Sequence, residues 1–168
     1  MKIRIHGIQD GKHQIELTEN VKNIPYFSSE FLGEVQLSGF LTKAKNRFNF
    51  SGTVKCKAQF FCDISLEEFI EEIVADIHLN FIADTQLFYF QKDSIKEIEE
   101  IAVHEDDEYF DISDEIKDIL TVNIPMKKIA PKYKGKTFYD VFPQFANKNK
   151  DENFVDERWN ALKNINLN

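Results

Sequence analysis

The chain has 168 residues, of which 42% are hydrophobic and 16 are phenylalanine, so it can build a packed core and is not a disordered chain. Its formal net charge of -8 argues against non-specific binding of nucleic acid by the whole surface. There is no N-terminal apolar run typical of a signal peptide, and no segment approaches the roughly 20 apolar residues of a membrane helix. We therefore expect a cytoplasmic protein that makes no membrane contact.

The N-terminal half is predicted to form a mainly antiparallel β-sheet. Strands are expected over Met1–Ile8 and His13–Thr18, with a turn signal between them. Apolar and polar side chains alternate along Glu30–Thr42 and again along Phe48–Cys62. This period of two predicts a long hairpin with one buried face.

The segment Ser65–Ala83 admits two interpretations. Ser65 and Glu68 have the spacing of a capping box, and the apolar residues that follow fit a helical stripe. From Ile73 onward the apolar residues instead alternate with polar ones, which favours a strand. The short aromatic run Thr85–Gln91 is predicted to be a further strand.

The C-terminal third places two segments of opposite charge in succession. Residues 96–119 contain eleven acidic residues and two lysines, whereas residues 126–150, the basic segment, contain seven lysines and one acid. A helix is predicted over residues 112–124, with Asp111 or Ser113 as its N-cap and a proline after its end. A short amphipathic helix is expected over residues 156–165, and the sequence leaves the order of residues 92–108 open.

Together these elements predict an α+β fold with a curved, mainly antiparallel sheet of about five to seven strands and C-terminal helices. We expect a β-rich core domain over residues 1–125, capped by the helix at 112–124. Residues 126–168 would form a basic, aromatic extension that is irregular before its short helix.

The sequence does not predict catalysis or a metal site. The four histidines have no metal-ligand spacing, and the glycines are too scattered for a phosphate-binding loop. Cys56 and Cys62 lack the spacing of a zinc knuckle, and on one strand they would lie too far apart for a disulfide. We therefore predict no enzyme activity, no cofactor, no metal ligand and no small-molecule substrate.

The basic segment is the strongest candidate for binding. Its lysines could contact phosphates and its aromatic rings could stack on bases. The alternative is that the lysines are solvated and the rings only hold an irregular segment against the sheet. The candidate RNA-binding residues are Lys127, Lys128, Lys132, Tyr133, Lys134, Lys136 and Tyr139.

Three stretches of the chain resemble the YceD family of bacterial and plastid proteins, tied to accumulation of large-subunit ribosomal RNA. Gly52–Phe69 resembles the family's strand that runs into Cys-x-Arg-Cys-Leu. Tyr109–Ala130 resembles its acidic run, helix and Leu-Pro ending, and residues 156–162 resemble its terminal Asp-x-Arg-x-x-x-Leu. The positions that match these motifs are Cys62, Leu66, Asp156 and Arg158.

The chain is a cysteine-poor variant of this pattern. Ile64 and Ser65 stand where the family has its arginine and second cysteine. The segment before the last predicted helix, where many relatives carry further cysteines, has none here, so a metal role does not carry over. The resemblance also favours a strand for Ser65–Ala83.

The resemblance implies a non-enzymatic factor that supports accumulation or assembly of large-subunit ribosomal RNA, by binding that RNA or a ribosomal protein. The basic segment would face RNA phosphates. The acidic block Glu97–Asp118 would attract a basic ribosomal protein over a Debye length of about 10 Å. Its candidate contacts are Glu105, Asp106, Asp107 and Glu108, although a solvated loop explains them more simply.

Two alternatives stay open at this point. The chain could be a protein–protein adaptor that never contacts RNA. More distantly, it could be an uncharacterised enzyme, which would need a pocket with converging polar groups and perturbed carboxylates.

Overall fold

The computed structural model describes residues 1–92 and 100–146. The chain divides into two compact units, Met1–Ala130 and Pro131–Asn168. The first unit contains a five-stranded mixed sheet and a two-stranded sheet, which confirms the predicted α+β class. No helix among the described residues is long and apolar enough to cross a membrane.

The strands and helices are defined as follows. Strands β1 to β7 are Lys2–Arg4, Gly11–Asn20, Phe31–Ala44, Arg47–Phe61, Glu68–Ala83, Ile101–Val103 and Tyr109–Asp111. Helices α1 to α3 are Thr85–Lys92, Ser113–Val122 and Phe138–Val141, and single 3₁₀ turns lie at Val21–Asn23, Pro131–Tyr133 and Pro143–Phe145. The large sheet has the order β2-β3-β4-β5-β6, with only β5 and β6 parallel, and β1 pairs with β7 in the small sheet.

The predicted hairpin of β3 and β4 is confirmed. The two strands are antiparallel, and their alternating apolar side chains lie on one buried face. Val35, Leu41, Phe50 and Val54 on this face are fully buried. Each such side chain stabilises the fold by about 1.5–3 kcal/mol, so this face supplies much of the core.

Two glycines face each other in the centre of the hairpin. Gly39 pairs with Gly52, and a Cβ placed on Gly39 would lie 2.6 Å from the Cα of Gly52. The same Cβ would lie 2.5 Å from the carbonyl oxygen of Ser51 and 2.9 Å from Cζ of Phe50. Only glycine therefore allows this close approach of the two strands beside the buried Phe50 ring.

Three stacked rings connect the two sheets within the first unit. The ring centroids of Phe48 and Phe81 lie 4.9 Å apart, and those of Phe81 and Phe110 lie 4.3 Å apart. These residues belong to β4, β5 and β7, respectively. The stack therefore joins the small sheet to the buried face of the large one.

The segment Ser65–Ala83 is a strand from Glu68 onward, as the resemblance indicated. The β5 strand pairs with β4 over fifteen consecutive positions, and this long ladder outweighs the capping-box pattern. The Ser65 hydroxyl instead donates to the side chain of Glu67 in a tight turn. Leu66 in that turn has a left-handed backbone with φ 60.

The prediction of a strand at Thr85–Gln91 is wrong, because this segment forms helix α1. Asp84 acts as a cap, since its side chain accepts the N–H of Leu87 and its carbonyl accepts the N–H of Phe88. The side chain of Gln91 bonds to the backbone of Ala102 in β6 and so fixes the helix against the sheet. Local capping and tertiary contacts override the strand propensity of the aromatic residues.

The N-terminal strand is shorter than predicted, and its partner is remote in sequence. The β1 strand covers only Lys2–Arg4 and pairs with β7 rather than with the following strand. The predicted helix at 112–124 is present as α2, but Ile112 occupies the N-cap position and its side chain makes no cap bond. Asp111 instead accepts hydrogen bonds from the backbone and hydroxyl of Ser113.

Other expectations for the C-terminal third have mixed outcomes. Residues 101–103 and 109–111 form strands that the sequence did not predict. The segment expected to be irregular contains the four-residue helix α3 between two 3₁₀ turns. The predicted helix at 156–165 lies outside the described residues.

Candidate nucleic-acid interface

The structure divides the five candidate lysines between the two units. Lys127 and Lys128 belong to the first unit, whereas Lys132, Lys134 and Lys136 belong to the second. All of them are exposed except Lys128, which is half-buried. The two groups therefore have different surroundings.

Lys128 makes several contacts with the β-sheet of the first unit. Its Nζ lies 2.7 Å from Oε1 of Glu30 and 4.8 Å from the centre of the Phe60 ring. Its backbone carbonyl accepts the N–H of Asp63, and its own N–H donates to the Asp63 carboxylate. These contacts tie the end of the first unit to the end of β4.

The three candidate lysines of the second unit, Lys132, Lys134 and Lys136, lie within one compact turn. The N–H of Lys136 donates to the carbonyl of Tyr133 at 3.0 Å. Gly135 between them has φ 82, a left-handed conformation that glycine adopts without strain. The Nζ of Lys132 lies 5.0 Å from the centre of the Tyr133 ring, a distance that allows a cation–π contact.

Helix α3 begins directly after this turn with a capping box. The Thr137 side chain accepts the N–H of Asp140, and the Asp140 carboxylate accepts the N–H of Thr137. Hydrogen bonds from the backbone and side chain of Thr137 lower the pKa of Asp140 below its usual value. Asp140 is the single acid among the described residues of this unit, so its charge is partly engaged within α3.

Aromatic residues on α3 and the following turn form one cluster. The Phe138 ring centroid lies 5.2 Å from that of Phe142 and 5.9 Å from that of Phe145. Tyr139 packs edge-on against Phe138 at 5.7 Å. Yet Phe138, Tyr139 and Phe145 are 44%, 58% and 62% exposed.

Among the rings of the basic segment that could stack on bases, the candidate contacts chosen from the sequence were Tyr133 and Tyr139, not Phe138 and Phe145. The signal that could have identified them is the Thr137-x-x-Asp140 spacing, which starts a helix at Phe138. A helix beginning there places the rings at 138 and 142 one turn apart, so that they cluster. The described part of the second unit, residues 131–146, thus combines three exposed lysines with rings that contact one another and are open to solvent.

The acidic residues Glu105–Glu108, the acidic turn, connect β6 and β7. The Asp107 carboxylate accepts the N–H of His104 and so closes the turn on itself. The side chain of Asp106 is 94% exposed and lies 3.7 Å from the His104 ring. The turn is therefore an ordered, solvated acidic surface of the first unit.

Two of the family-like stretches meet at Cys62. This thiol is fully buried, and the N–H of Ala130 donates to its Sγ at 3.4 Å. Desolvation alone would raise the pKa of Cys62, but hydrogen bonds from Ala130, Ser65 and Ile64 together lower it to about 7. Leu66 lies exposed in the adjoining turn, whereas Asp156 and Arg158 lie outside the described residues.

The pairing of β3 with β4 shifts register between Leu32 and Gln36. The other cysteine, Cys56, lines a cleft at this shift, together with Lys55, Lys57, Glu34 and Glu72. Burial raises the pKa of Cys56, which keeps its thiol neutral, whereas a nucleophilic cysteine needs a lowered pKa. Within residues 1–92 and 100–146, no three His, Cys, Asp or Glu side chains form a cluster that could hold a metal ion.

Comparison with known proteins agrees with the resemblance seen in the sequence. The family model described as "Large ribosomal RNA subunit accumulation protein YceD" matches residues 50–166, more than half of the chain. No curated protein matches the chain, and no solved structure matches it either. The matched range contains most of β4, the turn at Cys62, helix α2 and the basic segment, and on this basis the chain belongs to the YceD family.

Proposed function

We propose that this chain supports accumulation of large-subunit ribosomal RNA by binding RNA directly through its second unit, without catalysing a reaction. The family description supplies the link to large-subunit RNA. The observation that supports direct contact is the combination of exposed Lys132, Lys134 and Lys136 with the exposed rings of α3. A cytoplasmic location stays a prediction.

The distribution of charge favours the second unit over the first as the RNA-binding surface. Lysines that contact phosphates release counterions, and this release supplies most of the affinity of such complexes. The acidic turn of the first unit would repel a phosphate backbone. Such a layout suits binding at one place rather than over the whole surface of a chain whose net charge is -8.

The contacts of Lys128 make it a structural residue in this proposal. Its ammonium group already lies against Glu30 and Phe60, so moving to a phosphate would break both contacts. Lys127 is exposed beside it and stays a candidate contact. The proposed interface centres on the exposed Lys132, Lys134 and Lys136, with Tyr133 and Tyr139.

A salt series tests this proposal. Affinity for fragments of large-subunit ribosomal RNA is measured from about 50 to about 300 mM salt, for the wild type and for the triple variant Lys132→Ala, Lys134→Ala, Lys136→Ala. A matched control, Lys22→Ala, Lys55→Ala, Lys57→Ala, removes three exposed lysines from the first unit. Both triple variants change the net charge equally.

The proposal expects wild-type affinity to fall with salt, with a slope that becomes shallower by about 2 in the first triple variant alone. Equal losses of RNA affinity in both variants would show that overall charge, rather than the second unit, determines binding. No binding by any protein at low salt would overturn direct RNA contact. Basic ribosomal proteins would then be tested against the acidic turn, as the adaptor alternative requires.

A further inference from the structure

We propose that the second unit selects unpaired RNA, whose bases stack on Tyr139 and Phe145, and that it discriminates against RNA duplex. This inference rests on the proposed function, because it names the class of RNA that the same surface binds. The observation that supports it is the set of exposed rings that follow the lysines in the chain.

The aromatic cluster has features of a stacking platform. The contacts among Phe138, Phe142 and Phe145 hold the rings in fixed positions, although Phe138 and Phe145 remain well exposed. Rings buried only to close a small core would be covered on both faces. Ordered, solvent-exposed rings instead suit a flat apolar partner, and every nucleobase offers such a face.

An RNA duplex has no free base faces on which these rings could stack. Its bases are already stacked on one another, and proteins contact RNA duplexes mainly through backbone phosphates, 2′-hydroxyls and groove shape. Helix α3 has four residues and so spans only about 6 Å, too short to follow a groove. Lysines alone would bind both forms of RNA, so the discrimination must come from the rings.

The order of the residues along the chain fits a single strand. The three lysines lie in the turn that ends at Lys136, and the exposed rings follow from Phe138 onward. A strand that crosses both features would place phosphates near the lysines and bases near the rings. This combination of a positive track and stacking side chains is the general mode of single-strand recognition.

The test uses the full chain and two RNA probes. One probe is an unstructured RNA of about 20 nucleotides, and the other is the same strand annealed to its complement. The variant Tyr139→Leu, Phe145→Leu removes two aromatic faces but keeps apolar side chains. Its matched control, Tyr26→Leu, Phe61→Leu, removes one tyrosine and one phenylalanine ring that are 94% and 60% exposed in the first unit.

We expect the wild type to bind the single strand at least about tenfold more tightly than the duplex. The Tyr139→Leu, Phe145→Leu variant should lose about tenfold or more in affinity for the single strand, with an unchanged salt slope. The control should bind as the wild type does. If circular dichroism shows that the double variant is misfolded, Tyr139→Leu is compared with Tyr139→Trp, which keeps a stacking face and should keep the affinity.

Two results would overturn the inference, and they have different consequences for the proposed function. Equal affinity for both probes, or ring variants that bind as the wild type does, would reject base stacking. If the triple lysine variant nevertheless bound RNA more weakly than the wild type, direct RNA binding through the lysines would be retained, without selection of single strands. Failure of the wild type to bind either probe would reject the inference and the proposed function together.

Discussion

The ammonium group of Lys128 lies 2.7 Å from the carboxylate of Glu30, although the two residues are 98 positions apart in the chain. Glu30 immediately precedes β3, so the ion pair fixes the end of the first unit to the start of the long hairpin. The Phe60 ring lies beneath the same ammonium group. A lysine of the basic segment thus stabilises the β-sheet unit.

This pair predicts a specific loss of stability in Lys128→Ala. A partly exposed ion pair contributes at most about 1 kcal/mol, and a cation–π contact adds about 0.5–1 kcal/mol, so we expect a loss of about 1–2 kcal/mol. Urea denaturation measures this loss, and the exposed neighbour Lys127→Ala is the control, with an expected change below about 0.5 kcal/mol. Equal effects of the two substitutions would show that the pair does not stabilise the fold.

The glycine pair of the hairpin predicts intolerance of even one methyl group. Gly39→Ala would place a Cβ 2.5 Å from the Ser51 carbonyl oxygen, and the strands would have to separate to admit it. We expect a loss of about 1–3 kcal/mol in the free energy of unfolding. The neighbouring Ser38→Ala substitution, on the exposed face of the same strand, should change that free energy by less than about 0.5 kcal/mol. Wild-type stability of Gly39→Ala would contradict the close approach.

The environment of Cys62 predicts a stability that rises with pH. Hydrogen bonds outweigh desolvation and lower its pKa in the folded chain from 9.0 to about 7. Between these values the unfolded chain binds more protons, so the contribution of Cys62 grows from about pH 7 to about pH 9. It is lost again as the pH falls through about 7. Urea midpoints of the wild type and of Cys62→Ala should therefore diverge over this range.

Cys56 is a control for this prediction, because its pKa is shifted in the opposite direction. Desolvation raises the pKa of Cys56, so any stability linked to its neutral thiol is present below about pH 9 and is lost above that value. The difference between the wild type and Cys56→Ala should not grow between about pH 7 and about pH 9. A constant difference between the wild type and Cys62→Ala over the same range would show that this thiol is not held as a thiolate.

The sheet was predictable where the burial pattern is regular. The alternation from Phe48 to Phe60 identified β4 and its buried face, because a period of two has no other regular explanation. The prediction of a strand at Thr85–Gln91 was wrong because aromatic residues favour strands on average. Here the Asp84 cap and the contact of Gln91 with β6 stabilise a helix instead. The pairing of β1 with β7 joins residues more than 100 positions apart, and no local pattern could reveal it.

The candidate interface was predictable in composition but not in arrangement. The lysines and tyrosines of the basic segment were identified from charge and residue type alone. The division of that segment between two units could not be predicted, because contacts with residues distant in sequence, such as that of Lys128 with Glu30, have no local signal. The exposure of Phe138 and Phe145 was left open, because residue type alone does not distinguish a ring that stacks on bases from one that packs against the sheet.

The central claim is that the second unit contacts large-subunit ribosomal RNA. Ultraviolet cross-linking in growing cells that make the protein, followed by mass spectrometry of the attached peptide, tests it most directly. We expect cross-links to large-subunit RNA on residues 132–146, centred on Tyr139 and Phe145, and their loss in the triple lysine variant. Absence of cross-linked RNA, or cross-links confined to the β-sheet of the first unit, would contradict it.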